Sequence, residues 1–180
     1  LAAALALYAS APFGPGAGAD SLDYLSTAEN LNRGLGFTDF SGDSFRLWPP
    51  LYPLALALIS RLSGAGVVEA ARWLNALCFG LAAALAGSLL GRAVPERPWW
   101  SVLASLVVMC MPSFASLGTI VSADIAFIAL CWTFLWACSA YLQRPGWQPL
   151  LWMVALAAPA AVLRWQGVTL IMSGVLLVLW

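Results

Sequence analysis

The stretch Pro49–Leu62, PPLYPLALALISRL, decides how this chain is threaded. Pro49-Pro50 opens a helix from about Leu51 to Leu62, and Ser63-Gly64-Ala65-Gly66 stops it. At 1.5 Å per residue, residues 51–62 reach only ~18 Å, short of the ~30 Å of hydrocarbon in a bilayer. The helix is therefore expected to lie at an interface or to re-enter. Residues 12–66 then form one long loop on a single side of a membrane.

The rest of the composition supports a membrane setting. The 180 residues are 62% hydrophobic and 9% charged, with mean hydropathy +0.88, where soluble domains carry ~25% charged residues. The expected class is an all-α, polytopic transmembrane helical bundle, with a long first extracytoplasmic loop that carries short interfacial helices. Residues 1–11 read as the end of a first span, and the chain as a single transmembrane domain, 1–180, cut at both ends. Further spans are expected at about 67–90, 99–117, 123–142, 150–163 and 168–180. Trp99, Trp100, Trp147, Trp152 and Trp165 fall near the turns between them, as an interfacial aromatic belt requires.

Several function classes fall away. Net charge is zero and lysine is absent, so nucleic acid is not an expected partner. There is no histidine, and Cys78, Cys110, Cys131 and Cys138 all lie in apolar runs without a CxxC pair, which excludes a Cys/His metal site. The Gly/Pro run APFGPGAGA, residues 11–19, has no strand before it and no GK[ST] after it, and reads as a linker, not a phosphate loop.

Parity then orders the charges. If residues 51–62 do not cross, the loop 12–66, the turn 118–122 and the turn 164–167 share one side, and Arg92, Arg97 and Arg144 lie on the other. Three arginines in short turns against Arg164 alone favour the second side as cytoplasmic. The expected location is a bacterial inner (plasma) membrane with the first loop outside.

Residues 19–53, ADSLDYLSTAENLNRGLGFTDFSGDSFRLWPPLYP, hold five of the eight acidic residues. Charge at membrane depth costs ~2.5–3.5 kcal/mol on insertion scales, so each ionisable group near a span needs a reason. A helix over about 20–32 puts Asp20, Asp23, Tyr24 and Thr27 on one face. Asp20 can cap that helix, can accept a proton from a hydroxyl, or can do both. Asp124 begins a span on the same side, where it can cap, orient an acceptor or assist a divalent cation. Arg164, with Gln166 beside it, can snorkel or clamp a phosphate. Arg46 and Arg72 are weaker binding candidates of the same kind. Tyr24, Trp48 and Tyr52 can stack on a sugar or anchor the interface.

The order of motifs carries a resemblance: a span, then DS-x-x-Y-x-x-x-A-E-N-L-x-x-G-x-G-F, then PPLYPLALALISRL, then AARWLNAL, then S-x-D at the start of a later span. This order resembles the N-terminal part of the GT-C glycosyltransferase superfamily, in its dolichyl-phosphate-mannose protein mannosyltransferase-like and aminoarabinose-transferase-like branch. The resemblance covers essentially the whole chain in layout. It implies an integral membrane enzyme of the cell envelope that moves a sugar from a polyprenyl-phosphate donor to a lipid, glycan or protein acceptor, with inversion. It implies Asp20 as base, Asp124 as the second acid and Arg164 as the basic residue after the fifth span. Ser21 stands where some relatives carry a second acid, which leaves the choice between Asp20 and Asp23 open. Apart from a divalent cation, no cofactor is implied. The competing readings are a transporter or flippase and a non-catalytic assembly subunit. Transport calls for paired charges at mid-depth, whereas the charges here gather at one interface.

Overall fold

The computed structural model describes residues 1–179 and is all-α, 74% helical. Among the described residues, nine helices follow in order: α1 Ala2–Ala9, α2 Ser21–Asn32, α3 Leu51–Ser63, α4 Val67–Ala93, α5 Trp99–Cys110, α6 Pro112–Thr119, α7 Asp124–Gln143, α8 Trp147–Leu163 and α9 Val168–Leu179. Two short strands, β1 Gly16–Ala17 and β2 Ile120–Val121, pair in parallel, and a 3-10 turn, Trp165–Gly167, joins α8 to α9. Where spans are expected at 150–163 and 168–180 stand α8 and α9, apolar helices of 17 and 12 residues, shorter than the candidate spans; Trp180 lies outside the described residues.

Two helices, α4 and α7, are long and apolar enough to cross a membrane by themselves. The expected span at 99–117 is not one straight helix. It is the pair α5 and α6, bent by 64° at Met111. The cause is Pro112, which lacks a backbone N–H and drives the residue before it out of the helical region; Met111 has ψ 117°. The expected turn at 118–122 is correspondingly shorter, since α6 runs to Thr119 and β2 takes the next two residues.

Packing inverts the pattern of a water-soluble core. Most buried apolar residues are alanines, such as Ala76, Ala82, Ala83 and Ala126, while Leu77, Leu81, Val102, Leu151 and Val175 face outward. Without water to drive large side chains inward, helices associate through small residues that let backbones approach, and large apolar groups meet lipid. Gly80 shows the closeness: a Cβ there would stand 3.0 Å from the Ala3 Cβ across α1 and α4. The α4 helix is the hub, with α1, α3, α5, α6 and α7 all packed against it.

The α3 helix begins after Pro49-Pro50 and ends at Gly64, whose φ of 73° is the left-handed conformation that glycine adopts without a Cβ penalty. At 13 residues it is too short to span. Arg61 from α3 donates to the Leu31 and Asn32 carbonyls at 2.8 and 3.1 Å, covering the end of α2. The α2–α3 pair thus sits as a small layer on the ends of α4, α7 and α8.

Candidate functional site: an acidic loop over a buried polar lattice

The site is built on the first core cluster, where Tyr24, Tyr52 and Leu56 from the loop helices meet Ala71, Val121, Ala123 and Leu163 from the bundle. Tyr24 stacks edge-on to Tyr52 at 4.9 Å between centroids, with Phe45 and Trp48 at 6.2 and 6.4 Å. Such pairs add about 0.5–1.5 kcal/mol each beyond area burial. Both tyrosines are enclosed, so their rings act here as packing. The indole N–H of Trp48 is buried with no hydrogen-bond partner.

A lattice of buried hydrogen bonds fixes the loop to the bundle. Tyr52 donates its hydroxyl to Asn75 Oδ1 at 2.9 Å, and Asn75 Nδ2 donates to the Ile120 carbonyl. Ser21 donates to the Val121 carbonyl at 2.6 Å while its oxygen accepts from the Gly18 N–H at 2.7 Å. With the β1–β2 pairing, these bonds hold residues 16–21 against residues 120–121, three positions before Asp124. In the sequence Ser21 stands out only as the replacement for a second acid, and Asn75 is not among the expected site residues. Asn75 did carry a signal, as an uncharged polar group inside an apolar span.

The capping expectation for Asp20 gives way to a different arrangement. Asp20 precedes α2 but makes no side-chain cap hydrogen bond, because its backbone is already helical (φ −79°, ψ −14°). A cap residue needs an extended backbone to turn its oxygen onto the next amides. The Asp20 carboxylate is partly exposed and, among the described residues, has no ion-pair partner. Asp124 is likewise no cap: it is the first residue of α7, its N–H donates to Ser122 Oγ at 3.4 Å, and its carboxylate pairs with Arg164.

Arg164, Asp20 and Asp23 all influence the Tyr24 hydroxyl. Burial pushes the Tyr24 hydroxyl up to about 12; Arg164 acts in the opposite sense, and Asp20 and Asp23 push it further up. The Asp23 carboxyl is also raised, first by desolvation, then by the negative charges of Asp39 and Asp20. Asp39 is held near by the loop after α2, where Asn30 Nδ2 donates to the Thr38 and Asp39 carbonyls at 3.1 and 3.0 Å. Hydrogen bonds from the Ser41 hydroxyl and neighbouring amides lower the Asp39 carboxyl.

The remaining predicted residues divide. The Trp165 indole reaches the Leu47 carbonyl at 3.5 Å, which brings the loop beside Arg46 to the turn carrying Arg164 and Gln166. Arg46 and Gln166 themselves are exposed. Arg72 is engaged elsewhere: Nε donates to Ser10 Oγ at 2.9 Å, Nη2 to the Leu7 carbonyl at 2.6 Å, and Nη1 pairs with Glu69 at 2.9 Å. That staple fastens the end of α1 to α4. Among the described residues, no group of three or more His, Cys, Asp or Glu side chains is arranged to hold a metal ion.

Compared with protein-family models, curated proteins and solved structures, the chain matches none. The chemistry of the site therefore rests on its own residues: an uncommitted carboxylate at Asp20, the Asp124–Arg164 pair, and a second acid, Asp23, with raised proton affinity.

Proposed function

We propose that this chain forms the catalytic loop and surrounding spans of a membrane glycosyltransferase of the GT-C kind. The reading is carried by one observation: Asp20 keeps a carboxylate free of capping duty and of ion pairs, next to Ser21, whose bond to the Val121 carbonyl ties this loop three residues before Asp124, the partner of Arg164. A base must be free to take a proton, and a phosphate leaving group needs a fixed cation nearby.

In the reaction, an acceptor hydroxyl gives its proton to Asp20 as its oxygen attacks the anomeric carbon of the sugar. The bond from that carbon to the phosphate oxygen breaks with inversion, and its electron pair leaves with the polyprenyl phosphate. Arg164, oriented by Asp124, meets the charge that develops on the phosphate. The buried, unpartnered Trp48 N–H is a donor that a ligand oxygen would satisfy. The apolar exterior of the bundle accommodates the polyprenyl tail, and the extracytoplasmic side supplies the acceptor.

The test uses vesicles containing the full-length protein and a panel of polyprenyl-phosphate sugars, with release of polyprenyl phosphate as the readout. The reading expects release by the wild type on at least one donor, and its loss in Asp20→Asn at normal membrane insertion. Release that is equal in both would remove the assignment.

A further inference from the structure

The opposite end of the bundle carries a polar concavity, remote from the acidic loop. It forms where the C-terminal ends of α4 and α7 meet the N-terminal end of α8, whereas the acidic site lies at the reverse ends of those helices. The cavity measures about 570 Å³ and is lined by Arg92, Trp136, Gln143, Arg144, Trp147 and Trp152 among others. The Arg92 guanidinium lies 4.1 Å from the Trp136 ring centroid. Its Nη1 is buried and has no hydrogen-bond partner. Among the described residues, neither Arg92 nor Arg144 forms an ion pair.

A buried guanidinium nitrogen without an acceptor is unusual, because burying an unsatisfied charged donor is costly. Stacking on Trp136 fixes the plane of the guanidinium and leaves its N–H edge for an anion. Charge at this end agrees, with Arg92, Arg97 and Arg144 against Glu96 alone. The α8 N-terminus, capped by no side chain, adds amides of the same polarity.

What selects a lipid over a free anion is the neighbouring surface. A groove of about 700 Å³ adjoins the cavity, shares Arg92 and Gln143 with it, and runs over Leu89, Leu135, Leu142 and Leu177. Tryptophan at this level is the side chain of a lipid interface. We propose that this end of the bundle binds an anionic phospholipid, its phosphate between Arg92 and Arg144 and one acyl chain in the adjoining groove. The site is independent of the chemistry assigned to the acidic loop.

The experiment is native mass spectrometry of the full-length protein in detergent, titrated with phosphatidylglycerol or with phosphatidylcholine of the same acyl chains. Wild type is expected to retain phosphatidylglycerol preferentially. Each arginine near an anionic headgroup contributes roughly fivefold, so Arg144→Gln should weaken binding roughly fivefold and Arg92→Gln/Arg144→Gln about thirtyfold. Arg144 is exposed and has no hydrogen bond through its side chain, so the single variant keeps the fold and isolates the effect. Arg33→Gln, an exposed arginine at the end of α2, should leave lipid binding unchanged. Equal retention of the two lipids by wild type, or undiminished phosphatidylglycerol binding in Arg144→Gln and the double variant, would overturn the proposal. Displacement of the lipid by inorganic phosphate at equal concentration would overturn it too, by assigning the cavity to a free anion.

Discussion

Replacing Asn75 with leucine should loosen the acidic loop from the bundle without opening a cavity. Asn75 is 1% exposed, and its amide serves the Tyr52 hydroxyl on one side and the Ile120 carbonyl on the other. Leucine keeps most of the volume but leaves both partners buried and unpaired. In a water-soluble core each orphaned group costs about 1–3 kcal/mol. In membrane bundles, measured side-chain hydrogen-bond couplings average about 0.6 and reach about 1.7 kcal/mol, since the unfolded chain also finds partners. Two bonds lost together should therefore cost about 1–4 kcal/mol. Tyr52→Phe removes one of them, and combining it with Asn75→Leu gives a cycle whose coupling should be about 1 kcal/mol. The assay is unfolding in mixed micelles followed by tryptophan fluorescence. Additivity within about 0.3 kcal/mol would refute the lattice as the device that ties α3 to α4 and the strand before Asp124.

Three other outcomes follow from the geometry. Arg164→Gln should cost about 1 kcal/mol, because the Asp124 side chain is 40% exposed and water takes over part of the pair; Asp124→Asn should cost more, leaving Arg164 at 18% exposure unpaired, and the double variant should cost less than the sum of the two in thermal unfolding. Asp23 binds its proton more tightly in the folded protein than the ordinary value of 3.8, so its contribution to stability is lost as pH rises through the raised value. Asp23→Asn should accordingly raise the melting temperature at neutral pH and leave it unchanged well below pH 3.8. Gly87→Val should separate α4 from α5, since a Cβ there would meet the Ser101 carbonyl oxygen at 2.6 Å; a loss of about 1–3 kcal/mol is expected, read by unfolding in micelles.

Much of this fold is written in local signals. Pro49-Pro50 and Ser63-Gly64 bound α3 where a helix start and a left-handed stop belong, and Gly34 follows the end of α2. Composition sufficed for α4 and α7, since their apolar length fixes them as candidate spans. Other features depend on contacts that no local pattern encodes. The β1–β2 pair joins two dipeptides about a hundred positions apart, too short to show strand alternation. The bend at Met111 had its signal in Pro112, but the apolar content of residues 99–117 ran on through it and masked the break. At the site, the sequence marked Asp20 as a helix start; whether its carboxylate turned onto the amides depended on a backbone angle (φ −79°, ψ −14°) that residue spacing does not encode. Arg72 looked like any arginine near a span end until the positions of Ser10 and Leu7 gave it partners.

The most direct test of the central claim is the turnover of a polyprenyl-phosphate sugar by Asp20→Asn, measured beside Asp23→Asn in the same vesicles. The account predicts a fall of about 10²–10⁴-fold in turnover for Asp20→Asn, the range for losing a positioned base, with donor affinity unchanged. It predicts that Asp23→Asn keeps most of its turnover. Wild-type turnover in Asp20→Asn, or a loss confined to Asp23→Asn, would contradict it.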